Sequence, residues 1–191
     1  MVRQEKIEIR VEKRETETEE DINNMEEYFL KNRKENIIGN SFKEGKNITA
    51  IIFNPVDYIL DGIKFINTEK IENITVETNN FKEKVMVEKL QIYFEELPKK
   101  TFKDSKISNF EELFKIIQSL DLLCELSLSE EDVVYIGKII EVYEDSIDVD
   151  FFDTECKLMD QAYVEYEDIT TVTVFSDYLN TLSEVMKKNK N

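Results

Sequence analysis

Aspartate and glutamate at short spacing are the side chains of this sequence best suited to chemistry. Asp148 and Asp150 precede Glu155-Cys156-Lys157, the D…E-x-K order of metal-dependent nucleases. There, carboxylates hold a divalent ion and a lysine positions the attacking water. Two considerations oppose that use. Five to seven residues leave little room for the acid and the E-x-K to occupy neighbouring strands. The surrounding negative charge would also repel a phosphodiester before a metal could help. Calcium is the other use of clustered carboxylates. Asp148, Asp150, Asp153 and Glu155 have part of the spacing of a calcium loop, but no glycine stands at its sixth position and Met159 replaces the bidentate glutamate.

Other catalytic arrangements are excluded by composition. The chain has no histidine, which removes Ser-His-Asp and Cys-His nucleophiles and histidine metal sites. Its two cysteines, Cys124 and Cys156, form neither a CxxC pair nor a zinc knuckle. Cys124 follows two leucines and reads as a small core residue, while the acids flanking Cys156 disfavour a thiolate. Gly39, Gly45, Gly62 and Gly137 build neither a G-x-G-x-x-G turn nor a P-loop. No catalytic, cofactor or metal set is expected, and the protein is expected not to be an enzyme.

Charge is the stronger signal. The 191 residues carry 42 acids against 25 bases, a formal charge of −17. From Ser129 to Asp168 there are 14 acids and two bases, so 40 residues hold −12 of that total. A solubilising surface would spread its charge more evenly. Asn80 to Lys106, by contrast, has seven lysines and five acids. Direct nucleic-acid binding is disfavoured by the charge and by the lack of a basic patch with interleaved aromatics. No apolar run approaches the ~18 residues of a membrane span, and Met1-Val2-Arg3-Gln4-Glu5 lacks the apolar core of a signal peptide. A cytoplasmic protein is expected.

The elements that must position the acids follow from periodicity. Asp145 to Phe152 alternates, placing Ile147, Val149 and Phe151 on one face and Asp148, Asp150 and Phe152 on the other. Ala162 to Tyr166 and Ile169 to Phe175 read as further strands around an acidic turn at Glu167-Asp168, with Tyr163, Glu165 and Glu167 on one face. The candidate partner-binding surface is therefore Asp148, Asp150, Phe152, Asp153, Glu155, Tyr163, Glu165 and Glu167. Carboxylates would steer encounter with a basic partner and aromatics would anchor it. The other reading of Phe152 is that the middle helices cover it.

Earlier in the chain, Val133 to Tyr143 reads as a strand bending at Gly137, and Ile48 to Phe53 as another. Asp61-Gly62 reads as a hairpin turn joining Tyr58-Ile59-Leu60 to Ile63–Ile66. Ile7, Ile9 and Val11 suggest an edge strand, while Ile22, Met25 and Phe29 fit a short helix. Glu15 to Glu27 holds seven acids and no base, the pattern of a solvated face.

Helices are predicted at Phe81–Leu97, ended by Pro98, and from Ser108-Asn109-Phe110-Glu111, a capping box with Ser108 at the cap. The second carries an apolar stripe of Phe110, Leu113, Phe114, Ile117 and Leu120. A last helix spans Asp177 to Lys188 with Tyr178, Leu179, Leu182 and Val185 inward. Lys99 to Lys106 reads as a loop.

Segments also match in order: Ile38-Gly39 with Ile136-Gly137, Ile48–Asn54 with Ile147–Asp153, and Glu72–Thr75 with Glu167–Thr170. The expected fold is α+β: two related small antiparallel β-barrels as tandem repeats, joined by a helical middle, with a helix after each. The expected divisions are an acidic N-terminal strand and helix (1–36), a first barrel with its helix (37–97), a linker and helix (98–128), and an acidic second barrel with the C-terminal helix (129–191).

The stretches Tyr135–Val142, Asp168–Val174 and Tyr178–Leu182 resemble a group of uncharacterised bacterial proteins with small SH3-like or Sm-like barrels and a C-terminal helix. The sequence departs from their pattern in having Cys156-Lys157-Leu158 where a Gly-x-Trp turn would stand. The resemblance implies a binding module without catalytic residues, in some members encoded near toxin genes. The expected function is a non-enzymatic acidic inhibitor of a basic protein, such as a toxin, nuclease or nucleic-acid-binding effector, of the immunity or phage anti-defence type. The alternative is a structural or adaptor protein whose barrels mediate self-assembly, including a homodimer, or docking in a larger complex.

Overall fold

A computed structural model describes residues 25–77, 80–129 and 133–189. Ten strands form one antiparallel sheet: β1 (Met25–Leu30), β2 (Ile37–Glu44), β3 (Ile48–Phe53), β4 (Ile63–Asn67), β5 (Ile71–Glu77), β6 (Leu123–Leu128), β7 (Val134–Val142), β8 (Ser146–Phe152), β9 (Leu158–Glu165) and β10 (Ile169–Val174). Four helices accompany them: α1 (Asn80–Tyr93), α2 (Leu97–Asp104), α3 (Phe110–Ser119) and α4 (Asp177–Asn189). The spatial order is β5-β1-β2-β3-β4-β10-β6-β7-β8-β9, so the five strands of each half lie in like order and β5 and β9 are the two edges.

This overturns the expectation of two tandem SH3-like or Sm-like β-barrel repeats, each closed on itself and separated by helices. The reason lies in β4 and β10, which pair in the middle of the sheet with Ile63 opposite Val174, Phe65 opposite Val172 and Ile66 opposite Thr171. Ile63, Phe65 and Ile66 are all fully buried, and every residue of β10 is buried. Burial on both faces, apolar on one and mixed with threonine on the other, makes these central strands, not the half-solvated strands of a small barrel. Three side-chain bonds strengthen the joint. Asn67 Nδ2 donates to Ile169 O (2.9 Å), and Arg33 Nη2 donates to Ser127 Oγ (2.9 Å) and Leu128 O (2.6 Å).

Helices α1, α2 and α3 supply Leu90, Phe102, Phe110, Leu113, Phe114 and Ile117 to the main core, and the turn after α1 adds Phe94, against Phe65, Leu126, Val149, Val172 and their neighbours. A smaller cluster holds Tyr28, Leu30, Ile51 and Ile66, and another packs Leu179 and Leu182 of α4 on Leu123 and Ile136.

Several local expectations are corrected. Pro98 stands in the first turn of α2, where its missing N–H costs no helical bond, so Lys99–Asp104 is helix and α1 has already ended at Tyr93. The cap of α3 is Asn109, whose Oδ1 accepts from Glu112 N at 2.9 Å. Ser108 precedes it and donates through N and Oγ to Glu112 Oε2 (2.7 and 2.8 Å). Met25 and Phe29 belong to strand β1, not a helix, while the edge strand expected at Ile7–Val11, and Ile22, lie outside the described residues.

Tyr58–Leu60 is not a strand; residues 54–62 form one loop between β3 and β4, and Gly62 closes it at φ +91°, a conformation that favours glycine. The irregularity in β7 falls between Ile139 and Glu141 instead of at Gly137. Gly137 answers to packing, since a Cβ there would lie 2.7 Å from Val149 Cγ2. In α4, Leu179 and Leu182 face the core but Tyr178 and Val185 are exposed.

Candidate functional site

The acidic surface is the outward face of β7, β8 and β9. Alternation works in β8 as its residues dictate: Ile147, Val149 and Phe151 enter the main core, and Asp148 and Asp150 point the other way. Register sets Asp148 opposite Tyr163 and Asp150 opposite Gln161. These side chains, with Ile140, Val149 and Ala162, line a shallow hollow of about 300 Å³.

Each carboxylate is oriented by a neutral neighbour. Tyr143 OH donates to Asp148 Oδ2 at 2.8 Å, and Gln161 Nε2 donates to Asp150 Oδ1 at 2.7 Å. The bond to Asp148 raises the Tyr143 phenol above its ordinary value. Tyr143 and Tyr163 stand with ring centroids 6.3 Å apart. Tyr166 secures this end of the face. Its ring lies 5.7 Å from both Phe110 and Phe114, and its hydroxyl donates to Tyr143 O at 2.8 Å.

The two bases of the acidic segment are held elsewhere. Lys138 Nζ pairs with Asp121 at 2.6 Å, and Lys157 pairs with Glu155. Beyond the hollow, Glu165 and Glu167 crowd one another, and that repulsion raises the Glu165 carboxyl above its usual range.

Asp148, Asp150, Tyr163 and Glu165 thus share one exposed face, and Glu167 follows in the 3-10 turn Tyr166–Asp168. The remaining candidates lie apart. Phe152 packs under α4 with Leu123, Ile136, Leu179 and Leu182, so it is covered by the C-terminal helix and not by the middle ones. Asp153 is occupied in the β8–β9 turn, its Oδ1 accepting from Glu155 N (2.8 Å) and Lys157 N (2.9 Å). Glu155 is at that same turn, beyond the end of β8 and away from the hollow's lining.

The D…E-x-K pattern is not assembled, because Glu155 and Lys157 lie at the β8–β9 turn, outside the hollow that Asp148 and Asp150 line. Among the described residues no group of three or more acidic or cysteine side chains is placed to hold a metal ion. Cys124 is fully buried, which pushes its thiol up to about 12.

Sequence reasoning missed Tyr143, Ile140 and Gln161. Gln161 was accessible from alternation, two residues before Tyr163. Tyr143 was not, because it enters from the turn after β7. No described helix is long and apolar enough to cross a membrane. The chain matches no protein-family model, no curated protein and no solved structure.

Proposed function

We propose that this is a non-enzymatic acidic binding protein that occupies and masks a basic surface of a partner protein, in the cytoplasm, as an immunity or anti-defence protein would. One observation carries the reading: Asp148 and Asp150 stand side by side next to Tyr163 on an open face whose neighbouring lysines are engaged elsewhere. Carboxylates held in place by Tyr143 and Gln161 lose little freedom on meeting a cation, and the tyrosine rings offer π-faces to it. The partner would be a toxin, nuclease or other nucleic-acid-binding effector, met where it would otherwise hold phosphates. The chain itself would bind neither nucleic acid nor a membrane and would need no cofactor.

The test is titration of an arginine-rich peptide at low and moderate salt, with amide shifts mapping the contact. Binding should weaken as salt rises. It should fall at least tenfold when Asp148, Asp150, Glu165 and Glu167 are all changed to lysine. Four reversals at Glu26, Glu27, Glu44 and Glu88 serve as the control for net charge. An equal loss in that control, or shifts spread over all acidic surfaces, would sink the reading.

A further inference from the structure

We infer that a second copy of this chain docks on the sheet edges, with β9 of one molecule pairing antiparallel to β5 of the next. The observation behind it is the joint the chain already makes between β4 and β10. Strand β4 ends at Asn67 before the 3-10 turn Thr68–Lys70, and β9 ends at Glu165 before the 3-10 turn Tyr166–Asp168. The strands after those turns begin with Ile71 and Ile169, and each shows a register shift at its start, against β1 and β6 respectively. Edge β9 therefore stands as β4 does, and edge β5 as β10 does. The internal joint pairs them; at the outer edges no described residue does.

Carrying the internal register outward, with Phe65 opposite Val172, sets Tyr163 opposite Ile74 of the next copy. Asn73 then meets Val164, Thr75 meets Ala162 and Val76 meets Gln161. Tyr163 is 58% exposed and Ile74 is 41% exposed. All eight positions are uncharged in a chain that is 35% charged. Free edges are ordinarily blunted by charge or proline, and these central positions have neither. Cross-strand aromatic and β-branched pairs are the units that stabilise a sheet.

The same register brings Glu72 to Glu165, so like charges stand at one end of the uncharged centre. Association is held back by this pair and by the net charge, and salt releases it. Each molecule offers one edge of each kind, so the contact is head-to-tail and extends beyond a dimer. It leaves the Asp148 and Asp150 side of the hollow open.

Sedimentation velocity of the full chain over a range of concentration and salt tests this. The average mass should rise with concentration and rise further with salt, opposite to the salt response of a basic partner, so the two proposals fail separately. Ile74→Lys should return the protein to monomer with its circular dichroism and Tm retained. In a Cys156→Ser background, Ile74→Cys combined with Tyr163→Cys should oxidise to a ladder of multimers, and neither cysteine alone should do so. That second readout does not depend on the charged variant folding. A monomer at every salt concentration overturns the inference, as does association that survives Ile74→Lys, or a crosslink through one cysteine type alone.

Discussion

Glu112 shows how a single carboxylate makes stability depend on pH. Its Oε2 accepts from both the N–H and the hydroxyl of Ser108, and those bonds hold it below its ordinary value near 4.5. A depressed carboxylate contributes stability that is present above its unfolded value and lost as pH falls through the folded one. Wild type should therefore lose Tm on acidification through that window, and Glu112→Gln should lose less, so the gap between them narrows as pH falls. Parallel profiles would contradict this assignment.

At the same scale, alternation was enough to find Asp148, Asp150, Tyr163 and Glu165 as one face. It could not separate Phe152 from them, because an outward aromatic reads alike whether water or a later helix covers it. Nor could it show that Asp153 is spent on two backbone amides, since a turn's hydrogen bonds leave no period in the sequence.

At the scale of elements, the β4–β10 joint brings two half-buried opposite charges to either side of one strand. Lys64 of β4 and Glu125 of β6 lie either side of Thr173 of β10. Burial lowers the Lys64 ammonium and raises the Glu125 carboxyl, and each charge partly offsets the penalty on the other. Lys64 also sits 4.3 Å from the centroid of the Phe53 ring. Removing one partner strands the other, so Lys64→Met should destabilise by roughly 1–3 kcal/mol, less than for a fully buried pair because both side chains keep some solvent. The double variant Lys64→Met with Glu125→Leu should recover most of that loss. Denaturant unfolding in a double-mutant cycle checks it, and additive effects would mean the two groups do not interact.

Element types were legible where patterns were strong. Ile48–Phe53 and Ser146–Phe152 were found to within a residue, as was the stripe on α3. Strand β1 was misread because Met25 and Phe29 sit at helical spacing, and α2 because a lysine-rich stretch resembles a loop until Phe102 is seen to be buried.

For the molecule as a whole, −17 on 191 residues means self-repulsion in the compact state. Thermal stability should rise with sodium chloride over the range in which screening acts. Replacing Glu165 and Glu167 with glutamine should raise Tm at low salt, and the gain should shrink as salt increases. A Tm insensitive to salt in both proteins would show that the acids are already compensated in the fold. That whole-molecule charge also sets the opposite salt signs expected of the two associations proposed above.

By itself the sequence settles local matters: which residues alternate, which helical stripes are apolar, where acid accumulates, and that histidine chemistry has no residue to run on. Which strands meet is a property of the folded chain alone. The choice between two closed barrels and one open sheet rests on β4 pairing with β10, across more than 100 residues of chain. Periodicity places a residue on a face of its own strand. It carries no information on which distant strand offers the matching edge, because that is decided by the summed burial of Ile63, Phe65, Ile169, Val172 and Val174 in the helix-covered core and of Ile66 in the smaller cluster behind it.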